Sequence, residues 1–306
     1  MTPLAAAADA YLKMRRALGF KLYHLTWFLP DFVAFVESHG SSTITTALAV
    51  RWAQQPPDGN PRWWAKRLSA VRGFAKHHRA YDPRTEIPDC PFPQTPVRQP
   101  PHIYSDGEIG SLLILACQRK RRALSASYST LLALLATTGM RVGEALALDD
   151  TDVDLKQSII TVRCTKFGKS RLVPVHPTTT AALQQYLRRR NRLCPYRPAP
   201  SFFVSSTGRR VLHQNFHHVF LRLIAQAGIH GLPGRRARLH DLRHTFAVKT
   251  VADWYRAGLD VEARLPWLST YLGHVSPSST YWYLSATPEL LDAAGARLER
   301  FWQAKP

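Results

Sequence analysis

Apolar residues recur at helical spacing in three stretches near the start of the chain. They cover residues 12–36, 44–53 and 63–78, and the spacing places the apolar side chains on one face of each predicted helix. Gly40, shortly after the first stretch, is a typical helix stop signal. The pattern therefore predicts a small helical domain at the N-terminus.

Prolines interrupt this periodicity between residues 83 and 101. Proline lacks the N–H group that helices and sheets need, so a run of prolines favours an extended linker. We therefore predict a helical domain over residues 1–85, a linker over 86–104 and a second domain over 105–306. The prolines concerned are Pro83, Pro88, Pro91, Pro93, Pro96, Pro100 and Pro101.

The second domain combines helical and strand patterns. Ser105 and Glu108 have the spacing of a capping box, which predicts a helix start. Strand character in 153–165 and 170–175 predicts a hairpin. The expected fold is mainly α-helical with a small antiparallel β-sheet. Further helices are predicted around 128–138 and over 181–190, 212–227, 241–257 and 289–302.

The net charge of the chain indicates which class of molecule it binds. The 306 residues include 41 Lys and Arg against 21 Asp and Glu, a net charge of +20, while 45% are apolar. Such a chain is globular and favours a polyanion, either nucleic acid or an anionic membrane. No apolar run reaches the roughly 18 residues of a spanning helix, and the N-terminus lacks a basic secretion signal. We therefore expect a DNA-binding protein of the cytoplasm, without membrane contact.

The third predicted helix, 63–78, carries several basic residues among its apolar positions. The alternative explanation is an ordinary solvated face, but the charge of the whole chain favours contact with a DNA backbone. The predicted DNA-binding residues of this helix are Lys66, Arg67, Arg72 and Lys76.

Four later segments contain the residue types that phosphodiester chemistry requires. Fixed cations must neutralise the charge on the phosphate oxygens, a nucleophile must attack in line, and an acid must protonate the departing oxygen. Arginine suits the first task because its planar fork binds two oxygens and stays charged. The segments are TGMRVGEAL (138–146), TKFGKSRLVP (165–174), RLHDLRHTF (238–246) and LGHVSPSSTYWY (272–283).

Each segment alone has an ordinary structural explanation. Arg141 could form a surface ion pair with Glu144, and Lys166 could belong to a solvated hairpin turn. His240 and His244 have the spacing of a zinc-binding helix. However, the intervening acid is Asp241, directly after the first histidine, instead of the Glu of H-E-x-x-H. We therefore predict no metal site.

Taken together and in this order, the four segments resemble the tyrosine recombinase, or phage integrase, family, which includes the Xer, Cre and lambda-integrase types. The resemblance covers essentially the whole second domain. It implies an α+β catalytic domain there. It also implies that the N-terminal helices form a core-binding domain of the SAM-like kind, a looser similarity that rests on size, helicity and the opening YLKMRRALGFK.

The resemblance implies roles on the phosphate side of the site. Arg141 and Arg243 would clamp the scissile phosphate, and His274 would hydrogen-bond to it. Glu144 matches a commonly acidic position that supports the site.

It also implies which groups move protons and attack phosphorus. Tyr283 would be the nucleophile, since Tyr281 does not match the family distance from His274. Lys166 would protonate the 5′-hydroxyl, and His240 would act as acid or base near the nucleophile. The alternative for both tyrosines is aromatic packing.

The implied activity is site-specific DNA recombination or integration through a covalent 3′-phosphotyrosine intermediate, without metal or nucleotide cofactor. The alternatives are a type IB topoisomerase and a non-catalytic accessory protein.

The implied partners are double-stranded DNA and further copies of the chain. The copies would form a tetramer in which the C-terminal helix packs on a neighbouring subunit. Other recombinases remain open as partners, as does a role in moving a mobile element, and the expected location is the nucleoid of a prokaryotic cell. The DNA contacts predicted in this domain are Lys169, Arg171, Arg235, Arg236 and Arg238.

Overall fold

Two units, residues 1–99 and 100–306, divide the chain within the proline-rich stretch. They are seen in a computed structural model that describes residues 2–55, 59–89, 91–92, 100–119, 122–163, 170–233, 235–274, 281 and 295–296. Among these residues, no helix combines the length and the apolar character needed to cross a membrane.

The first unit is built from four helices, and side chains cap the starts of three of them. Thr2, Thr45 and Asn60 each accept a hydrogen bond from a backbone N–H of the first turn. The apolar faces meet in one core, in which Phe32 and Trp52 are fully buried. The helices are α1 (Pro3–Ala17), α2 (Leu25–Ser38), α3 (Thr46–Ala53) and α4 (Pro61–His78).

The predicted helix over 12–36 was wrong in its extent. The structure ends α1 at Ala17 and begins α2 at Leu25. The intervening segment contains apolar residues that are nevertheless exposed, among them Leu18 at 65% and Tyr23 at 72%. Apolar spacing therefore continues across a loop, which hides the break.

The second unit begins with the predicted capping box. Ser105 Oγ accepts from the Glu108 N–H at 3.1 Å, and the Glu108 carboxylate accepts from the Ser105 N–H at 2.8 Å. The helices that follow are α5 (Asp106–Cys117), α6 (Arg122–Thr138), α7 (Val142–Ala147), α8 (Pro177–Leu193), α9 (His213–Gln226), α10 (Leu239–Arg256) and α11 (Val261–Leu272), with a 3-10 helix at Asp150–Asp152.

The small antiparallel sheet is confirmed, with strands in the order β1–β2–β3. The first predicted strand is in fact two, β1 (Val153–Asp154) and β2 (Ile159–Val162), because the chain turns at 155–158. β2 pairs with β3 (Arg171–Pro174), and Val162 lies opposite Arg171. The predicted hairpin tip lies outside the described residues.

Helix α6 lies at the centre of the second unit. It packs against α5, α8 and α10, and α10 in turn packs against α11. A main core surrounds α6, while a smaller cluster joins α10 to α11 through residues such as Val251 and Leu268. Helix α11 was not among the predicted elements. The predicted helix 289–302 lies outside the described residues, apart from 295–296.

Candidate active site

A tight turn between α6 and α7 positions Arg141. Gly139 has φ of +60°. A Cβ atom at this position would lie 2.5 Å from the ring of Phe246 in α10. Both the positive φ and the close approach of α10 therefore require glycine here. Arg141 follows as the N-cap residue of α7.

The Arg141 guanidinium lies between Glu144 and the end of α11. Its Nη1 donates to Glu144 Oε1 at 2.8 Å, and its backbone N–H donates to Glu144 Oε2 at 3.1 Å. Its Nη2 donates to the carbonyl of Gly273 at 3.3 Å. The side chain is still 37% exposed. Arg141 is thus held in place on one side and open to solvent on the other.

Arg243 approaches the same place from α10 and is almost completely buried, with 2% exposure. Its Nη1 donates to the Gly139 carbonyl at 2.9 Å, and its Nη2 donates to the Leu272 carbonyl at 2.7 Å. Arg243 therefore connects the α6–α7 turn to the end of α11.

The C-terminus of α11 brings these side chains together. Three successive carbonyls, those of Tyr271, Leu272 and Gly273, accept bonds from Arg171, Arg243 and Arg141 at 2.9, 2.7 and 3.3 Å respectively. A helix C-terminus carries partial negative charge and unsatisfied carbonyls, which favours cations there. Arginines from α7, α10 and β3 therefore converge on the residues that immediately precede His274.

Burial and positive charge keep the histidines of the site neutral. Loss of hydration, together with the charges of Arg243 and Arg141, lowers the pKa of His274 to about 4. The same causes lower the pKa of His240, which lies at the start of α10, although Asp241 opposes the shift. Neutral imidazoles can donate one proton and accept another near pH 7.

Two carboxylates hold the elements of the site in place. Burial alone would raise the pKa of Glu144, but hydrogen bonds from Arg171 and Arg141 outweigh it and hold that pKa below its usual value. Asp241 is fully buried and accepts from the Arg238 N–H at 2.9 Å, which caps α10. Its burial raises its pKa, against the opposing effect of Arg238.

Several predicted residues are not covered by these observations. Lys166, Lys169 and Tyr283 lie outside the described residues. Tyr281 is described and is 56% exposed. Within the described part of the chain, no group of three or more His, Cys, Asp and Glu side chains has the arrangement of a metal site.

The predicted DNA contacts of α4 divide into exposed and internal residues. Lys66 and Lys76 are exposed on this helix. Arg72 is half-buried and donates to the Pro88 carbonyl at 3.0 Å. Arg67 requires a correction, because it is only 9% exposed, stacks over Trp52 and donates to the Trp52 carbonyl at 3.1 Å. Its charge serves the core of the first unit and is not presented to DNA.

The predicted DNA contacts of the second unit also divide into exposed residues and residues paired within the protein. Arg236 is exposed, Arg238 pairs with Asp241 at 2.9 Å, and Arg235 donates to the Pro100 carbonyl at 2.9 Å. Arg171 requires a second correction. Its side chain is 11% exposed and pairs with Glu144 inside the site, so it is not a DNA-facing residue of the hairpin. The sequence pattern marks both Arg171 and Glu144 but not their pairing.

Acid should destabilise the second unit through the buried His244. Burial, more than the nearby charges, lowers the pKa of His244 to about 3, against an ordinary value of 6.5. Between these values the unfolded chain binds the proton and the folded chain does not, so stability falls as the pH drops from 6.5 towards 4. His244 contributes on the order of a few kcal/mol to this fall. Thermal melts across this range should therefore show a falling Tm.

The variant His244→Gln provides the control for this prediction. It removes one titrating group, so its Tm should fall less steeply with acid than that of the wild type, even if it is lower at pH 7. Parallel curves for the two proteins would contradict the assignment of the shift to His244.

Comparison with known proteins finds a family and relatives that match most of the chain. Residues 108–289 match the model of the phage integrase family. The Sinorhizobium fredii protein y4rB, which is named as an integrase or recombinase, is 44% identical, and the match covers 99% of both chains.

Solved structures show the same fold. The Tn1549 transposon integrase in complex with transposon right end DNA matches with a TM-score of 0.66 and 19% identity, over 98% of this chain and 99% of that one. A lambda integrase tetramer bound to a Holliday junction matches with a TM-score of 0.61 and 16% identity, over 92% and 76% of the respective chains.

Proposed function

The chain belongs to the phage integrase family of tyrosine recombinases and is a site-specific DNA recombinase; on that basis, we propose which of its side chains carry out the reaction. The observation that supports the proposal is the convergence of Arg141 and Arg243 on neighbouring carbonyls at the end of α11, directly before His274. Cations fixed in this way lower the energy of a transition state in which negative charge grows on phosphate oxygens.

In the first half of the reaction, the Tyr283 oxygen attacks the phosphorus and the bond to the 5′-oxygen breaks. Arg141 and Arg243 hold the nonbridging oxygens, and neutral His274 donates an N–H to the phosphate. His240 takes the phenol proton. It can do so because its lowered pKa leaves the imidazole neutral near pH 7. Lys166 gives a proton to the departing 5′-oxygen.

In the second half, the 5′-hydroxyl of another strand attacks the phosphotyrosine and the tyrosine oxygen leaves. The covalent link conserves the energy of the phosphodiester bond, so one strand is exchanged for another without ATP or a metal. Glu144 acts indirectly by holding Arg141, with which it shares bonds of 2.8 and 3.1 Å.

The assembly that we propose is a tetramer on duplex DNA, with the C-terminal helix of each copy packed on a neighbour. The lambda integrase tetramer on a Holliday junction supports it by likeness of fold. The exposed Lys66, Lys76 and Arg236 would contribute DNA contacts, together with Lys169. We place this activity at the nucleoid of a prokaryotic cell, where the chain could move a mobile element.

Strand exchange between two labelled DNA fragments tests this function. The fragments should carry sequence that flanks the gene of this protein, because a mobile element carries its own target. We expect exchanged products only when both fragments contain the mapped cleavage site, and none with a scrambled sequence. Relaxation of any supercoiled plasmid without site preference, and without exchange, would instead indicate a topoisomerase.

A further inference from the structure

Arg171 lies beside the proposed catalytic residues and bonds to Glu144 and to the Tyr271 carbonyl. We propose that Arg171 is a positioning residue, which locks Glu144 and the end of α11 together and so fixes Arg141 and His274 relative to the scissile phosphate. This inference rests on the function proposed above for the same site.

All three guanidinium nitrogens of Arg171 are bonded within the protein. Nη2 donates to Glu144 Oε2 at 2.7 Å and Nη1 donates to Glu144 Oε1 at 3.2 Å. Nε donates to the Tyr271 carbonyl at 2.9 Å. This is the planar fork that only arginine forms with a carboxylate, and it fixes both distance and orientation.

Glu144 links the two arginines. Each of its oxygens accepts one bond from Arg171, and the same carboxylate accepts the Nη1 and the backbone N–H of Arg141. The carboxylate is only 10% exposed, so water cannot readily replace a lost partner. Without Arg171, Glu144 would turn towards Arg141 alone, and Arg141 would move with it.

Gly273 supplies an independent observation on the α11 side. Its φ is +68°, and a Cβ atom at this position would lie 2.8 Å from Arg171 Nη1. The chain therefore passes directly over the Arg171 guanidinium immediately before it reaches His274. Two neighbouring contacts, at Tyr271 and Gly273, make the path of this turn depend on Arg171.

Single-turnover cleavage of a nicked DNA substrate by Arg171→Ala tests the proposal. A misplaced phosphate clamp should slow cleavage about 100-fold, the typical cost of a small displacement of reacting groups. The Kd for DNA should change by less than about threefold, because a buried side chain neutralises no phosphate. Arg171→Lys keeps the charge but not the fork and should lose about tenfold.

A matched control distinguishes positioning from simple loss of stability. Arg190 is also internal, with 1% side-chain exposure, and its guanidinium donates to Asp150 at 2.6 Å and to the Phe202 carbonyl at 2.8 Å. Arg190→Lys should lower the Tm about as much as Arg171→Lys, yet leave the cleavage rate of the folded protein unchanged. Equal loss of cleavage in both variants would overturn the proposal.

A double-mutant cycle with Glu144→Gln examines the proposed route through the carboxylate. If Arg171 acts through Glu144, the double variant should cleave within about threefold of the slower single variant. Losses that multiply would overturn the proposal, as would cleavage by Arg171→Ala within threefold of wild type. Failure of wild-type protein to form any covalent complex would instead refute the function of the site.

Discussion

Replacing Tyr283 with phenylalanine should abolish covalent capture of DNA, with a loss of at least about 10⁴-fold, the scale at which removal of a nucleophile acts in enzymes. The substitution removes only the hydroxyl group whose oxygen attacks phosphorus and keeps the aromatic ring. Binding of DNA should therefore persist in the variant while chemistry stops.

The measurement is capture on a suicide substrate nicked near the cleavage position, so that the short 5′ fragment diffuses away and religation is prevented. Tyr281→Phe is the matched control, because Tyr281 belongs to the same segment and is 56% exposed. It should capture DNA at close to the wild-type rate. Capture by Tyr283→Phe together with its loss in Tyr281→Phe would reverse the assignment of the nucleophile.

Removing either arginine of the phosphate clamp should give the second-largest effect. By analogy with the loss of one oxyanion donor, Arg141→Ala or Arg243→Ala should cost about 3–4 kcal/mol of transition-state stabilisation, or 10²- to 10³-fold in cleavage rate. The chemical reason is the same for both substitutions, because each removes a fixed cation that stabilises the negative charge developing on the phosphate.

The two variants should differ in stability, which gives the prediction an internal control. Arg243 is 2% exposed and supplies donors to two carbonyls, at Gly139 and Leu272, so its loss should also lower the Tm. Arg141 is 37% exposed, so its loss should lower the Tm less than the loss of Arg243. Cleavage within tenfold of wild type by well-folded Arg141→Ala would contradict its role.

Local sequence signals predicted much of the helical framework, because they act over a single turn. The capping box of Ser105 and Glu108 gave the start of α5, and the apolar periodicity of 63–78 gave α4. Helix α11 was missed although Asp260 caps it and Val261, Leu265 and Leu268 form a buried face. Pro266 inside the helix obscured that pattern.

Tertiary partners could not be inferred in the same way. The segments with Arg141, His240, Arg243 and His274 were identified from their order, and the structure brings these residues around one helix end. The acceptors, however, are backbone carbonyls of α11, which no side-chain pattern marks. Arg67 and Arg171 were expected on the surface for the same reason: charge is visible in a sequence, whereas a buried partner is not.

The most direct test of the central claim is to identify the amino acid that carries DNA in the trapped complex. The complex can be digested with nuclease and protease, and the modified peptide sequenced by mass spectrometry. We predict a phosphate adduct on Tyr283, attached through the 3′ side of the cut strand. An adduct on any other residue, or a 5′ attachment, would contradict the account.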